Sequence, residues 1–148
     1  MFKHILVPTD GSELSLQNVA RAASYAQETG AQITLFYAEP EAPSAYVGLG
    51  AIANPHLTQE VHQRLDEAAH EVLDAAEAVV REAGVPRYQR CVLVGNRPHE
   101  LIIAAADQNG CDLIFMASHG RSGVRALLLG SETQKVLAHS KIPVLVYR

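Results

Sequence analysis

The 148 residues, 48% of them hydrophobic and 19% charged, suffice for one domain with its own core and match an ordinary soluble globular protein. No apolar run nears the roughly 18–20 residues that cross a bilayer, and the opening MFKHILVPTD has no signal-peptide core, so the expected location is the cytoplasm, with no membrane contact. A net charge of −4 disfavours nucleic-acid binding, which needs a basic face, and the two cysteines, Cys91 and Cys111, read as small apolar residues of a reducing compartment.

Ile5, Leu6 and Val7 form a short apolar run of buried-strand character. It meets a turn, Pro8-Thr9-Asp10-Gly11-Ser12, whose last residue is a good N-cap. The helix it starts carries Leu16, Val19, Ala20, Ala23 and Ala26 at 3.6-residue spacing and closes at Thr29-Gly30. Residues 33–38 are a second strand. Residues 39–56, with three prolines and two glycines, read as a long loop, and such loops in compact domains are functional or disordered. A long amphipathic helix follows, with Val61, Leu65, Ala68, Val72, Ala76, Val79 and Ala83 along one face, and stops at Gly84-Val85-Pro86. The third strand, residues 90–94, ends at Gly95-Asn96-Arg97-Pro98. A third helix over 100–108 closes at Asn109-Gly110. Strand four covers 112–116, helix four 132–139, and strand five 144–147.

Helices that stop at glycine and are each followed by a short apolar run describe repeated αβ units. Near-continuous apolar strands imply burial on both faces, hence a parallel, doubly wound sheet in a single domain spanning 1–148. Ligands of such sheets bind beyond the strand C-termini where the strand order reverses. The polar residues after strand one (Thr9, Asp10) and the segment after strand four (Ser118, His119, Gly120, Arg121, Ser122) are the natural pair for that crevice. Nine residues after Gly120 comes Gly130-Ser131, followed by a helix. Glycine admits close approach of a ligand, and a helix N-terminus offers unpaired N–H groups to an anion, so the two features read as a two-sided phosphate cradle. Charge is uneven in the same sense: residues from 118 onward sum to +4, with Glu132 their single acid, and the remainder to −8. An acidic helix tipping the balance accounts for this asymmetry equally well.

Other constellations carry less. Gly48-Leu49-Gly50-Ala51-Ile52-Ala53 matches the dinucleotide fingerprint formally, but it lies in a Pro-rich loop without the strand and helix the fingerprint needs. Neither GxxxxGK[ST] nor GxSxG occurs, which removes P-loop ATPases and nucleophile-elbow hydrolases. His62 and His70, eight apart on the acidic helix, are expected to face solvent. His119 is placed either to hold its loop by a backbone hydrogen bond or to contact phosphate. Asp10, before Gly11, reads equally as a turn former and as a ligand group.

Met116-Ala117-Ser118-His119-Gly120-Arg121-Ser122-Gly123, Leu127-Leu128-Leu129-Gly130-Ser131 and Pro143-Val144-Leu145-Val146 closely resemble the universal stress protein family, as does the opening Ile5 to Ser12 segment. The resemblance covers the whole chain. It implies a five-stranded parallel sheet in the order 3-2-1-4-5 (Rossmann-like) and an adenine-nucleotide-binding module of the stress response. ATP, or AMP or ADP, would be the ligand, with Mg2+ as a companion. By the same resemblance, Asp10 and the Tyr37 backbone would hold the adenine end, and Pro8, Thr9, Met116 and Ala117 would line the adenosine pocket. Gly120, Ser131 and the N–H groups of Glu132 and Thr133 would take the phosphates. Ala117 replaces the first glycine of the family's nucleotide motif. Glu132 puts an acid near the phosphates, which repels them unless a cation intervenes or the side chain turns away. The family also implies a homodimer through the last strand, Val144–Tyr147. Two other readings stand beside this one: a nucleotide-free structural dimer, and a slow ATP hydrolase for which no base is evident.

Overall fold

The apolar runs become the five strands of one parallel sheet: β1 (His4–Pro8), β2 (Gln32–Glu39), β3 (Tyr88–Val94), β4 (Leu113–Ala117) and β5 (Val144–Tyr147), ordered β3-β2-β1-β4-β5. The computed structural model describes residues 1–46, 48, 52–119 and 129–148. Among the described residues, the helices α1 (Glu13–Thr29), α2 (Pro55–Glu82), α3 (Pro98–Gln108) and α4 (Ser131–His139) connect and cover the sheet. Among the described residues, no helix is long and apolar enough to cross a membrane.

Strand alternation splits the core in two. Ile5 and Val7 point with Ile33, Leu35, Leu113 and Phe115 toward α1 and α2, meeting Val19, Ala23, Leu73 and Val80. Leu6 points the other way with Phe36, Ile114 and Met116, against Ile102, Ala106 and Val136 of α3 and α4. Both faces of the central strands are therefore covered, which is why β1 and β4 contain almost nothing but apolar residues. The edge strand β3 is different: Gln89, Arg90, Val92 and Val94 are exposed, and Arg90 pairs with Asp74 and Glu77 of α2.

Ser12 caps α1 as its sequence position predicts, in extended backbone (φ −67°, ψ 157°), with its hydroxyl accepting from Ser15 N at 3.2 Å. Gly30 closes the helix in the left-handed region at φ 71°, where a Cβ would be strained. The apolar stripes need correction. On α1, Ala20 is exposed while the polar Ser15 and Asn18 are buried, because they have partners under the helix. Asn18 Nδ2 donates to Phe115 O at 3.0 Å, and Thr9 Oγ1 stands 3.0 Å from Ser15 Oγ. On α2 the buried residues are Ala69, Val72, Leu73, Ala76 and Val80, and Ala68 faces solvent. The first turns of this helix, Pro55 to Ala68, contain no fully buried residue, so the inward face is set only from Ala69 on. The loop expected over 39–56 contains a 3-10 turn at Ser44–Tyr46, and α2 begins at Pro55, with the Asn54 side chain accepting from Leu57 N at 3.2 Å. Proline at the first helical position lacks only an N–H that would have no intrahelical partner. The same effect starts α3 at Pro98, ahead of the expected Glu100.

Candidate functional site

β1 continues to β2 on one side of the sheet and has β4 on the other, so strand order reverses between β1 and β4. A cleft of about 360 Å3 opens there, at the strand C-termini. Its floor is apolar, made by Pro8, Phe36, Ala38, Ile102, Met116 and Ala117. Polar groups enter from three places: Thr9, Asp10 and Ser15 from the first turn, His119 after β4, and Gly130, Ser131, Glu132 and Thr133 from the start of α4. Tyr37 and Pro98 complete the rim.

The first turn is held by its own side chains. Asp10 Oδ1 accepts from Ser12 N at 2.9 Å, the Asx turn expected of an Asp-Gly pair, while the residue also lines the cleft. Thr9 N donates to Phe36 O at 2.9 Å, which keeps β1 and β2 paired right up to the cleft.

The far wall depends on a close backbone approach. Gly130 N donates to Ser118 O at 2.7 Å, and Thr133 Oγ1 donates to Ala117 O at 3.1 Å. Together these dock the start of α4 against the end of β4. Gly130 is the N-cap of α4 and has no side chain to bond the first-turn N–H groups. The start of α4 therefore borders the cleft without an N-cap side chain on its N–H groups, next to the Ser131 hydroxyl.

Glu132 lines the same cleft, and its carboxylate is engaged from two sides. Its Oε2 accepts from His99 N at 2.8 Å and from His99 Nδ1 at 3.0 Å, and its Oε1 accepts from Lys135 Nζ at 2.9 Å. A carboxylate only accepts, so the His99 tautomer at this contact carries its proton on Nδ1. Burial pushes the Glu132 pKa up, but the hydrogen bonds from Lys135 and His99 outweigh it and hold the group below its ordinary 4.5. The carboxylate thus caps α3, whose N-cap Arg97 makes no side-chain cap bond of its own.

Of the residues expected at a site, Pro8, Thr9, Asp10, Tyr37, Met116, Ala117, His119, Gly130, Ser131, Glu132 and Thr133 surround one cleft. Ser118 lies behind its wall: the residue is buried, its N–H donates to Tyr147 O at 2.8 Å, and its hydroxyl stands 3.0 Å from His119 Nδ1. That contact links the His119 ring to a side chain, where a backbone partner was one of the two expectations. Gly120, Arg121, Ser122 and Gly123 lie outside the described residues, as does part of the GLGAIA segment. Sequence reasoning missed Ser15, Phe36, Ala38, Pro98 and Ile102. A signal existed for two of them, since Phe36 and Ala38 flank Tyr37 and share one face of its strand. Pro98 and Ile102, one helical turn apart, follow a strand-ending turn like the other cleft segments.

An open parallel sheet, covered by helices on both faces and cleft at its switch point beneath an uncapped helix, defines a Rossmann-like α/β protein. The chain belongs to the universal stress protein family, whose model matches residues 1–148. A universal stress protein of Thermus aquaticus, encoded in the QAH/OAS sulfhydrylase 3′ region, is 38% identical over 148 residues, the whole of both chains. Among solved structures, MJ0577 of Methanocaldococcus jannaschii is 28% identical with a TM-score of 0.79, over 99% of this chain and 95% of that one. A universal stress protein solved in complex with cAMP is 26% identical with a TM-score of 0.73, over 99% and 97% of the two chains.

Proposed function

We propose that this chain is an adenine-nucleotide-binding regulatory module of the stress response, acting as a homodimer. One observation carries the binding part: the N-terminus of α4, capped by a residue without a side chain, opens on an apolar cleft at the sheet's switch point. The apolar floor suits a nucleobase and ribose, and the α4 N–H groups with Ser131 suit a phosphate. The relative that binds cAMP supports the adenosine class of ligand. ATP with Mg2+, ADP and AMP are the nucleotides to test. The dimer would form through β5, whose outer edge is unpaired in the sheet.

Titration calorimetry of the purified chain with AMP and ATP, with and without Mg2+, tests the reading. Saturable binding at one site per chain, abolished by Gly130→Glu in a variant that melts like the parent, is the expected result. Absence of heat with every nucleotide at millimolar concentration, together with no nucleotide released on denaturing the purified protein, would leave the nucleotide-free dimer in its place.

A further inference from the structure

Two helix N-termini border the cleft, and they are treated differently. That of α4 is open, because Gly130 supplies no capping side chain. That of α3 already holds an anion, because Glu132 accepts from His99 N at 2.8 Å and from the His99 ring at 3.0 Å. The same carboxylate engages the ammonium of Lys135 at 2.9 Å. Two groups that would otherwise attract phosphate, an α3 amide and a lysine, are thus held by a side chain of the chain itself. Among the described residues lining the cleft there is no lysine or arginine, and the acids are Asp10 and Glu132. The wall next to the open α4 terminus therefore carries a carboxylate that is hydrogen-bonded in place and whose countercharge, Lys135, lies outside the lining.

We infer that Glu132 sets the number of phosphates the site accepts: it admits an adenosine ligand with a single phosphate, seated on α4, and disfavours a polyphosphate tail. The inference rests on the adenine-nucleotide reading of the cleft. The first phosphate meets the α4 N–H groups and the Ser131 hydroxyl. Among the described residues lining the cleft, a second and third phosphate find no lysine or arginine, and they share the site with the Glu132 carboxylate. The contact also keeps its shape when the charge is removed, since a glutamine carbonyl still accepts from His99 N. Replacing Glu132 by Gln therefore tests charge rather than fold, and it removes the ion pair with Lys135.

The experiment is titration calorimetry of the full chain with AMP, ADP and ATP in EDTA, for the parent, Glu132→Gln and Lys135→Gln. The parent should bind AMP at least about tenfold more tightly than ATP, with ADP between them. In Glu132→Gln, the preference for AMP over ATP should fall about tenfold. Lys135→Gln alters an exposed side chain and leaves Glu132 less compensated, so it should widen the AMP-to-ATP gap, a shift of opposite sign that a folding defect would not produce. If the parent binds ATP as tightly as AMP, or if neither variant moves the ratio, the inference is overturned while adenine-nucleotide binding stands. If the parent binds no nucleotide at all, both fall together.

Discussion

A Cβ built on Gly130 would lie 3.1 Å from His119 Cα, 3.2 Å from His119 Cβ and 3.2 Å from Ser118 O. These are tighter than ordinary carbon contacts, and two of the three neighbours are backbone, which yields less readily than a side chain. The backbone angles at Gly130 (φ −58°, ψ 150°) suit any residue, so the glycine is needed for space and not for its conformation. Gly130→Ala should destabilise the fold by about 1 kcal/mol, the low end of overpacking costs, since a shift of a few tenths of an ångström relieves the contact. It should also weaken nucleotide binding, because the displaced segment carries His119 into the cleft. Urea unfolding and AMP titration of the same sample check both effects, and an unchanged unfolding midpoint would contradict the packing argument. This residue was legible in the sequence, because a glycine before a hydroxyl at a helix start has few other uses. The direction of Glu132 was not. It depends on His99, 33 positions away, and no local pattern announces a carboxylate capping a neighbouring helix.

Strands and helices were legible because period and punctuation agreed: short apolar runs alternate with helices, the first three of which stop at or next to glycine. Boundaries shifted where a rule was local. Proline at the first helical position pulled the starts of α2 and α3 forward, and β3 begins at Tyr88 although its first residues look polar. An edge strand need not be apolar on both faces, so composition under-reads it. The join between β1 and β4 holds a further contact that sequence does not show. Asp112 accepts from Lys3 N at 3.0 and 2.9 Å and from His4 N at 2.9 Å, fastening the start of β1 to the start of β4. Burial pushes the Asp112 pKa up, but the bonds from the His4 and Lys3 amides outweigh it and hold the group below its ordinary 3.8. A folded-state pKa below the unfolded one gives stability that is complete above the unfolded value and is lost as pH falls through the folded value. Asp112→Asn should therefore cost about 1 kcal/mol at neutral pH, a figure reduced for its solvent exposure. The difference from the parent should be constant well above pH 3.8 and begin to shrink only as pH falls toward and below that value. Unfolding midpoints in urea at pH 7, 5 and 3 measure this, and a difference independent of pH would mean that the charge plays no part.

At the scale of the whole molecule the question is what the two open sheet edges do, because an edge strand presents unpaired N–H and C=O groups to any chain that can match it. The β3 edge carries Arg90 in ion pairs with Asp74 and Glu77, along with the polar Gln89, and charges of this kind deter a second strand. The β5 edge is Val144-Leu145-Val146-Tyr147, with Leu145 38% exposed. Tyr147 is steadied from below by Arg21 of α1, whose guanidinium carbon lies 5.6 Å from the ring centroid, so the last residue of the strand is held ready for pairing. An apolar, uncharged edge of four residues fits a second copy of itself, since two such strands related by a two-fold axis satisfy each other's backbone groups and bury both leucines. Light scattering after gel filtration should therefore give twice the chain mass for the parent, and its melting temperature should rise with protein concentration, as folding coupled to association requires. Leu145→Lys places a charge against its own copy across the axis and should halve the measured mass and remove the concentration dependence. It should leave AMP binding within about threefold of the parent, because the cleft between β1 and β4 is built from one chain. A variant that keeps the doubled mass would move the interface to another surface, with the β3 edge and its exposed Val92 and Val94 the next to be mutated.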